Sequence, residues 1–249
     1  MSSATRGRPG PRASRSTQEA ARRAAEQEAQ RRRDRRRLAL LVAVLVLALV
    51  GGGLGLQAWR TGRSPVAAPV GSYADAPQPL ADSQPIRLGN ASAPVELTLY
   101  EDFHCPHCAD FEEEFGPTLA AARDAGRLKL AIWPMSFIDE GSARAAGAVG
   151  CATEAGFGER YYRGLFANAQ LEWTEDQLLG LAAVSTDPVP DAFTSCVQGQ
   201  VKTGWADSVD AAAEAAGVQG TPTLFLDGAP LPLKGLTPES LQSMIEAGA

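Results

Sequence analysis

The sequence predicts an α/β domain with an all-helical insertion, preceded by a single membrane-spanning helix. Two observations predict the α/β class: apolar residues recur at every second position in two short segments, and a segment of helical periodicity lies between them. A 22-residue run without charge near the N-terminus predicts the membrane span. The chain has 249 residues, 45% hydrophobic and 21% charged, which excludes a chain that is disordered over its whole length.

Residues 1–37 are predicted to be a basic leader. They hold 12 Arg against 4 acidic residues, a net charge of +8, whereas residues 38–249 hold 11 Lys or Arg against 25 acidic residues, a net charge of −14. The acidic main body argues against a nucleic-acid binder, because such proteins present a basic face. The arginines that precede the apolar run predict that the leader stays in the cytoplasm.

Residues 38–59 are predicted to be a transmembrane signal-anchor. At 1.5 Å per helical residue this charge-free run reaches about 33 Å, close to the ~30 Å hydrocarbon core of a bilayer. A cleaved signal peptide is the alternative, but its basic region would be unusually long, and the nearest small-residue site, residues 64–68, does not directly follow the run. Everything after residue 59 is therefore expected outside the cytoplasm.

Residues 60–84 are predicted to be a Pro/Ala-rich linker. Five prolines lie within residues 61–85 among Ala, Gly and Ser. Such a composition does not bury a core and behaves as a semi-extended tether.

Residues 85–249 are predicted to form one globular domain that begins with a strand, a helix and a second strand. The alternating apolar positions are Val95, Leu97 and Leu99 in the first strand and Leu128, Leu130 and Ile132 in the second. Between them, apolar steps of three and four from Cys105 to Leu119 predict a helix, which Gly116-Pro117 is expected to kink or break. This order predicts a right-handed parallel crossover.

The helical insertion is predicted at about residues 141–217, where an Ala-rich composition and helical spacing indicate several short helices. After it come signals for a strand, a tight hairpin and a terminal helix. They rest on Thr223 to Leu226, on Asp227-Gly228, and on Thr237-Pro238 as N-cap and first helical residue.

The segment that carries chemistry is a C-x-x-C motif, Cys105-Pro106-His107-Cys108, at the junction of the predicted strand and helix. Unpaired backbone N–H groups and the dipole of a helix N-terminus stabilise a thiolate at Cys105, and a protonated His107 adds to this. Pro106 costs nothing at the first helical position, because its missing N–H would be unpaired anyway. Cys108 lies one turn inward. We therefore expect Cys105 to exchange with substrates and Cys108 to resolve the mixed disulfide.

A metal site and an inert disulfide are the alternatives for this segment. It offers four donor side chains, His104, Cys105, His107 and Cys108. One helical turn cannot place four donors around one tetrahedral ion, and no second cysteine or histidine pair completes the set. No metal and no cofactor are expected, and His104 is interpreted as a solvent-facing loop residue.

The other two cysteines, Cys151 and Cys196, lie 45 residues apart in the predicted insertion. Since the C-x-x-C motif pairs Cys105 with Cys108, they form the remaining pair, and we expect a structural disulfide between them. The extracytoplasmic compartment permits it. Two buried free thiols are the alternative.

Two motifs together, Cys105-Pro106-His107-Cys108 and Gly220-Thr221-Pro222-Thr223, resemble the thioredoxin superfamily, specifically the DsbA-like thiol:disulfide oxidoreductases, over about residues 85–249. The resemblance implies a thioredoxin-like fold in which the insertion is an all-helical lid. It also implies that Pro222 follows a cis peptide bond and packs against the active disulfide, and that the backbone of Thr221 binds a substrate peptide.

The chain departs from the best-known members of this family at one position. They carry a buried acid six residues before the first cysteine, where this sequence has Leu99. Glu101 and Asp102 lie nearer the motif, as in relatives from Gram-positive bacteria, and are candidates for proton transfer as Cys108 deprotonates. A solvated strand end is an equal alternative for both acids.

The function expected from these observations is a membrane-anchored, extracytoplasmic oxidoreductase that introduces disulfides into cysteine-containing client proteins through Cys105 and Cys108. The resemblance implies that a quinone-linked integral membrane protein reoxidises the dithiol. Two alternatives stay open. One is a disulfide reductase or isomerase on the same fold, because Thr221 is shared with such relatives, and the other is a non-catalytic peptide-binding or chaperone module.

Overall fold

The computed structural model describes residues 15–248. Its first element, α1 (Arg15–Thr61), contains part of the predicted leader and all of the predicted span at residues 38–59. Within the described part of the chain, no helix is both long and apolar enough to cross a membrane. The span remains a prediction from the sequence, and the first part of the leader, residues 1–14, lies outside the described residues.

A five-stranded sheet forms the centre of the globular unit that begins at residue 58. The strands are β1 (Ile86–Leu88), β2 (Val95–Asp102), β3 (Leu128–Met135), β4 (Thr223–Leu226) and β5 (Ala229–Pro230), in the order β1-β3-β2-β4-β5. β2 and β3 are parallel, as the predicted crossover requires, and the other neighbours are antiparallel. β1 was not predicted, because three residues are too few to show a periodicity.

Seven helices of this unit are described: α2 (Pro106–Asp124), α3 (Glu140–Ala155), α4 (Gly158–Ala167), α5 (Glu175–Ser185), α6 (Asp191–Gln198), α7 (Thr203–Ala215) and α8 (Pro238–Gly248). The predicted insertion consists of α3 to α7, and α3 and α7 pack against β3. α2 packs against α8 and α4. The predicted N-cap of α8 is confirmed, because the Thr237 hydroxyl accepts the Ser240 N–H at 3.2 Å.

Of the predicted kink or break of α2 at Gly116-Pro117, the break is wrong, because the helix includes Pro117 and continues to Asp124. Pro117 removes one backbone hydrogen bond. The apolar face of the helix is fully packed into the core, with Phe111, Phe115 and Leu119 buried. Burial of three large side chains contributes more than one hydrogen bond costs, so the helix persists through the proline.

Residues 63–84, which we call the strap, are not a free tether. The Asn168 side chain accepts the Val66 N–H at 2.9 Å and donates to the Val66 carbonyl at 2.8 Å. Farther along, the Gln78 N–H donates to the Thr153 carbonyl at 3.1 Å. The helices of the insertion thus supply partners for the polar backbone groups that remain between the prolines.

Candidate active site

The C-x-x-C motif lies between the end of β2 and the first turn of α2. Cys105 is the N-cap residue of α2 and Pro106 is its first residue. The Cys105 N–H donates to the Asp102 carbonyl at 3.0 Å, and the Cys105 carbonyl accepts the Cys108 N–H at 3.1 Å. The free N–H groups of a helix start therefore lie beside Cys105, as predicted.

The two cysteines of the motif differ in burial. Both are free thiols. Cys105 keeps 6% of its surface exposed, whereas Cys108 keeps none. Burial and, second to it, the Glu101 carboxyl raise the pKa of the Cys108 thiol. Cys105 is therefore the sulfur that a substrate reaches first, and Cys108 needs a neighbouring group to exchange its proton.

The loop before β4 reaches this dithiol from the far end of the domain. The Thr221–Pro222 peptide bond is cis, as the resemblance implies. The Thr221 carbonyl lies 3.4 Å from Cys105 Sγ, although the two residues are 116 positions apart. A side-chain hydrogen bond of Thr221 opposes the rise in the pKa of Cys108. The two motifs singled out in the sequence thus meet in one site.

Glu101 is buried, so the alternative of a solvated strand end is wrong for this residue. Only 1% of its surface is exposed. Burial and then the neighbouring Glu112 carboxyl raise the pKa of Glu101 well above its usual value. Its Oε1 has no hydrogen-bond partner among the described residues, and its Oε2 is hydrogen-bonded to the Tyr162 hydroxyl. A buried carboxyl whose charge affects the pKa of the Cys108 thiol is suited to proton exchange with that thiol.

Asp102 is also buried, which corrects the solvated alternative here too, but its oxygens are occupied. Oδ1 accepts the Ser142 hydroxyl at 2.6 Å and the His104 N–H at 2.9 Å, and Oδ2 accepts the Ile138 N–H at 3.4 Å. Burial raises the pKa of Asp102 and these hydrogen bonds oppose the rise. The geometry therefore favours Glu101 for proton transfer and gives Asp102 a positioning role.

A buried network around Glu101 was missed by sequence analysis. The Tyr162 hydroxyl bridges Glu101 and Glu112, at 2.9 Å from Glu112 Oε1. A hydroxyl donates one proton, so one of the two carboxyl groups must carry a proton of its own. Arg163 Nη1 donates to Glu112 Oε2 at 2.6 Å, which places the negative charge on Glu112 and the proton on Glu101. Glu112 follows Cys108 by four positions on one helix face, a signal in the sequence, whereas Tyr162 has none.

The four donors of the alternative metal site do not converge. The His104 side chain is only 7% exposed and its Nδ1 lies 2.7 Å from Asp139 Oδ1, so its interpretation as a solvent-facing residue is wrong. The His107 side chain is 84% exposed, with Nδ1 3.9 Å from Asp110 Oδ2. In the part of the chain that the structure describes, no group of three or more His, Cys, Asp or Glu residues could hold a metal ion.

The predicted structural disulfide is confirmed. Cys151 in α3 is bonded to Cys196 in α6, with the two Cα atoms 5.9 Å apart. The bond joins two helices of the insertion.

A dithiol at a helix N-terminus, faced by a cis-proline loop on a sheet of this topology, defines a thiol:disulfide oxidoreductase. Residues 81–247 match a family model described as Thioredoxin. The match covers more than half of the chain, which therefore belongs to the thioredoxin family.

Solved structures agree with this assignment. DsbG of Mycobacterium tuberculosis is 26% identical with a TM-score of 0.57, over 66% of this chain and 86% of that chain. Oxidised DsbA of the same organism is 25% identical with a TM-score of 0.58, over 66% and 91%. BdbD of Bacillus subtilis shares the fold at 23% identity and a TM-score of 0.56, over 71% and 98%. No match to a curated protein was found. The chain is a DsbA-like thiol:disulfide oxidoreductase.

Proposed function

We propose that this enzyme introduces disulfides into exported proteins, with the Cys105–Cys108 disulfide as the oxidant. The observation that carries the proposal is the inequality of the two sulfurs. Cys105 is at the N-cap of α2, and Cys108 is fully buried under the influence of Glu101. Helix N–H groups stabilise a Cys105 thiolate and hence the reduced enzyme, and a couple whose reduced form is stabilised is oxidising.

In the first step, a client thiolate attacks Cys105 Sγ of the oxidised enzyme. A bond forms between the client sulfur and Cys105, the Cys105–Cys108 bond breaks, and its electron pair goes to Cys108. Because burial raises the pKa of Cys108, the departing sulfur takes a proton. Glu101 supplies it, since the raised pKa of this carboxyl keeps a proton on it.

In the second step, the other client thiolate attacks the client sulfur of the mixed disulfide. Cys105 leaves as a thiolate beside the first turn of α2. The client has lost two electrons, which now reside in the enzyme dithiol. The two client thiol protons are released, and one of them replaces the proton that Glu101 gave up.

The client chain binds beside Cys105 along the loop of Thr221 and Pro222. Any peptide bonded to Cys105 Sγ must pass the Thr221 carbonyl, which lies 3.4 Å from that sulfur. A backbone N–H of the client is a suitable donor to this loop.

Oxidative refolding of a reduced two-cysteine client tests the proposal. We expect the wild-type protein to accelerate disulfide formation and Cys105→Ala to abolish the effect, whereas a peptide-binding module would keep it. The reduction potential of the Cys105–Cys108 pair, measured against glutathione, should lie well above the value of about −270 mV typical of thioredoxin. A potential near that value would make the protein a reductant and overturn the proposed direction.

We also propose that the domain works outside the cytoplasm, attached to the membrane by residues 38–59. The Cys151–Cys196 disulfide supports an oxidising compartment, and the arginine-flanked, charge-free run of the sequence supports the anchor. The full chain, expressed in a bacterium, should sediment with membranes, and protease added to spheroplasts should degrade the domain. A protease-resistant, soluble protein would contradict this location.

Each turnover leaves a dithiol, so catalysis requires an acceptor of two electrons. We propose a quinone-linked integral membrane protein as this partner, because an anchored enzyme meets it within the bilayer. Membranes that contain the partner should reoxidise Cys105 and Cys108 when quinone is present. Equal reoxidation after extraction of the quinone would exclude the partner.

A further inference from the structure

We infer that His104 is a positioning residue of the redox site, held as a doubly protonated imidazolium that attaches the loop before Cys105 to the helical insertion. The inference rests on the proposed function and deepens it, because it identifies a residue that sets the oxidising strength of the dithiol.

The protonation state follows from the two hydrogen-bond partners of the ring. Nδ1 lies 2.7 and 2.8 Å from the two carboxylate oxygens of Asp139, and Nε2 lies 2.9 Å from the Leu171 carbonyl oxygen. Both partners are acceptors, and a neutral imidazole has only one N–H to donate. Only the imidazolium satisfies both.

The state of Asp139 supports this reading. Burial alone would raise the pKa of Asp139, but hydrogen bonds from Ser142 and His104 outweigh it, so the pKa is lowered. Asp139 is the N-cap of α3, where it accepts the Ser142 N–H at 2.9 Å. An ionised carboxylate at a helix N-terminus has no proton to offer the ring.

The imidazole ring of His104 also packs where Gly141 has no side chain. A Cβ placed on Gly141, in the first turn of α3, would lie 2.2 Å from His104 Cε1 and 2.7 Å from the Glu172 carbonyl oxygen. No side chain fits at this position unless the imidazole moves. The contact therefore holds the ring directly against the start of the insertion.

The backbone of His104 connects the contact between its ring and α3 to Cys105. The His104 N–H donates to Asp102 Oδ1, which also accepts the Ser142 hydroxyl. The next residue is Cys105, whose N–H donates to the Asp102 carbonyl at 3.0 Å. The loop between β2 and α2 is thus attached to α3 through both the main chain and the side chain of His104.

The positive charge of His104 affects the redox equilibrium of the neighbouring Cys105. The imidazolium is 7% exposed, whereas the Asp139 side chain that faces it is 51% exposed, so water screens the anion more than the cation. The carboxyl of Asp102, the other acid near His104, is already occupied by hydrogen bonds from the Ser142 hydroxyl and from the His104 and Ile138 N–H groups. The surplus of positive charge next to Cys105 favours its thiolate and hence the reduced enzyme.

Nitrogen NMR of the purified full chain, labelled at histidine, tests the protonation state. Ring N–H protons of the exposed His107 exchange with water too quickly to be seen, so the observed signals belong to His104. We expect correlations from both ring nitrogens at neutral pH, and loss of the Nδ1–H signal in Asp139→Asn, since an amide can donate to that nitrogen and still cap α3. A single ring N–H in the wild-type protein would overturn the inference.

Equilibration with glutathione tests the redox role. His104→Gln, which removes the charge and one donor, should shift the dithiol–disulfide equilibrium toward the disulfide by about threefold or more. The shift should shrink in the Asp139→Asn background, because the two side chains act as one unit. Asp191→Asn, in the first turn of α6, is the matched charge-removal control and should leave the equilibrium unchanged.

An unchanged equilibrium in a folded His104→Gln variant would overturn the inference. If this variant does not fold, the NMR signals of the wild-type chain and of Asp139→Asn still decide the question. Neither measurement requires a client. A protein that fails to oxidise clients but shows both results would refute the proposed function and leave the role of His104 standing.

Discussion

The redox site depends on two adjacent acids at the end of β2 that interact with different neighbours. Glu101 faces Tyr162 of α4 and acts on Cys108, whereas Asp102 accepts hydrogen bonds from Ser142 of α3 and from its own loop. Successive side chains of a strand point to opposite faces. One acid is thereby available for proton exchange while the other holds the loop in place.

The stability of the protein should report the raised pKa of Glu101. A carboxyl whose folded-state pKa exceeds its unfolded value of about 4.3 stabilises the fold fully below that value, and this contribution is lost as pH rises through the folded pKa. The free energy of unfolding of Glu101→Gln should therefore exceed the wild-type value by about 1–3 kcal/mol at pH 8. The difference should shrink toward pH 4. Urea unfolding across this range measures it. Glu113→Gln, an exposed change on α2, is the control, and a gain that is independent of pH would refute the prediction.

The same substitution should slow the chemistry. Glutamine cannot give a proton to Cys108, so Glu101→Gln should reduce the single-turnover rate of client oxidation by about 100-fold, within the usual range for general acid catalysis. Rapid acid quenching and counting of free thiols measure the rate. A rate within twofold of the wild-type value would remove Glu101 from the mechanism.

The helical insertion contacts the active-site loop at the first turn of α3. This turn holds Asp139 as N-cap, Ser142 against Asp102, and Gly141 against the ring of His104. Later in the same helix, Cys151 joins α3 to α6. One helix thus connects the redox loop to the disulfide-bonded part of the insertion.

Two glycines of α3 should respond in opposite ways to alanine. Gly141→Ala places a Cβ 2.2 Å from His104 Cε1 and should lower the free energy of unfolding by about 1–3 kcal/mol. Gly147→Ala meets nothing closer than 3.9 Å and should raise it by about 0.5–1 kcal/mol, because alanine favours the helix. Chemical denaturation of both variants measures the pair, and equal effects would contradict the packing around His104.

The Cys151–Cys196 disulfide should raise the free energy of unfolding without affecting the rate of client oxidation. Replacing both Cys151 and Cys196 by Ala opens a closed loop with a sequence separation of 45 and should cost about 2–4 kcal/mol. Client oxidation at a temperature where the variant is folded should stay near the wild-type rate. A large loss of activity in the folded variant would show that this disulfide takes part in electron transfer.

Across the domain, a buried ion pair that the strap covers joins α2 to the helical insertion. Arg123 of α2 pairs with Glu159 of α4, and both side chains are buried. The Arg123 Nη2 donates to the Ser72 carbonyl at 2.8 Å, and the Ala74 N–H donates to Glu159. The strap thus gives each of the two buried charges an additional hydrogen-bond partner, which lowers the cost of burying them.

Breaking the Arg123–Glu159 pair should lower the free energy of unfolding far more than breaking an exposed pair. Glu159→Gln removes the buried carboxylate that faces the Arg123 guanidinium and leaves only the half-exposed Asp124 as its ionic partner. It should therefore cost about 3 kcal/mol of unfolding free energy. The control is Glu246→Gln, which breaks a half-exposed pair with Arg127 at 3.4 Å and should cost less than about 1 kcal/mol. Thermal and urea unfolding of the two variants measure both. Similar costs would mean that the buried pair does not hold α2 to the insertion.

Local patterns in the sequence were enough for most elements and for the redox pair. Alternation predicted β2 and β3, and two adjacent residues with positive φ, Asp227 and Gly228, confirm the predicted hairpin. The dithiol was predictable because its chemistry depends on one helical turn, and Cys151–Cys196 because four cysteines leave one further pair.

Only the tertiary structure decided what surrounds these elements. The continuity of α2 through Pro117, the binding of the strap, and the burial of Glu101, Asp102 and His104 all depend on partners from distant parts of the chain. A local pattern shows which face of an element is apolar. It does not show whether a polar side chain is exposed to water or buried in the core. Their burial, and with it their proton affinity, is set by long-range packing that a linear sequence does not display.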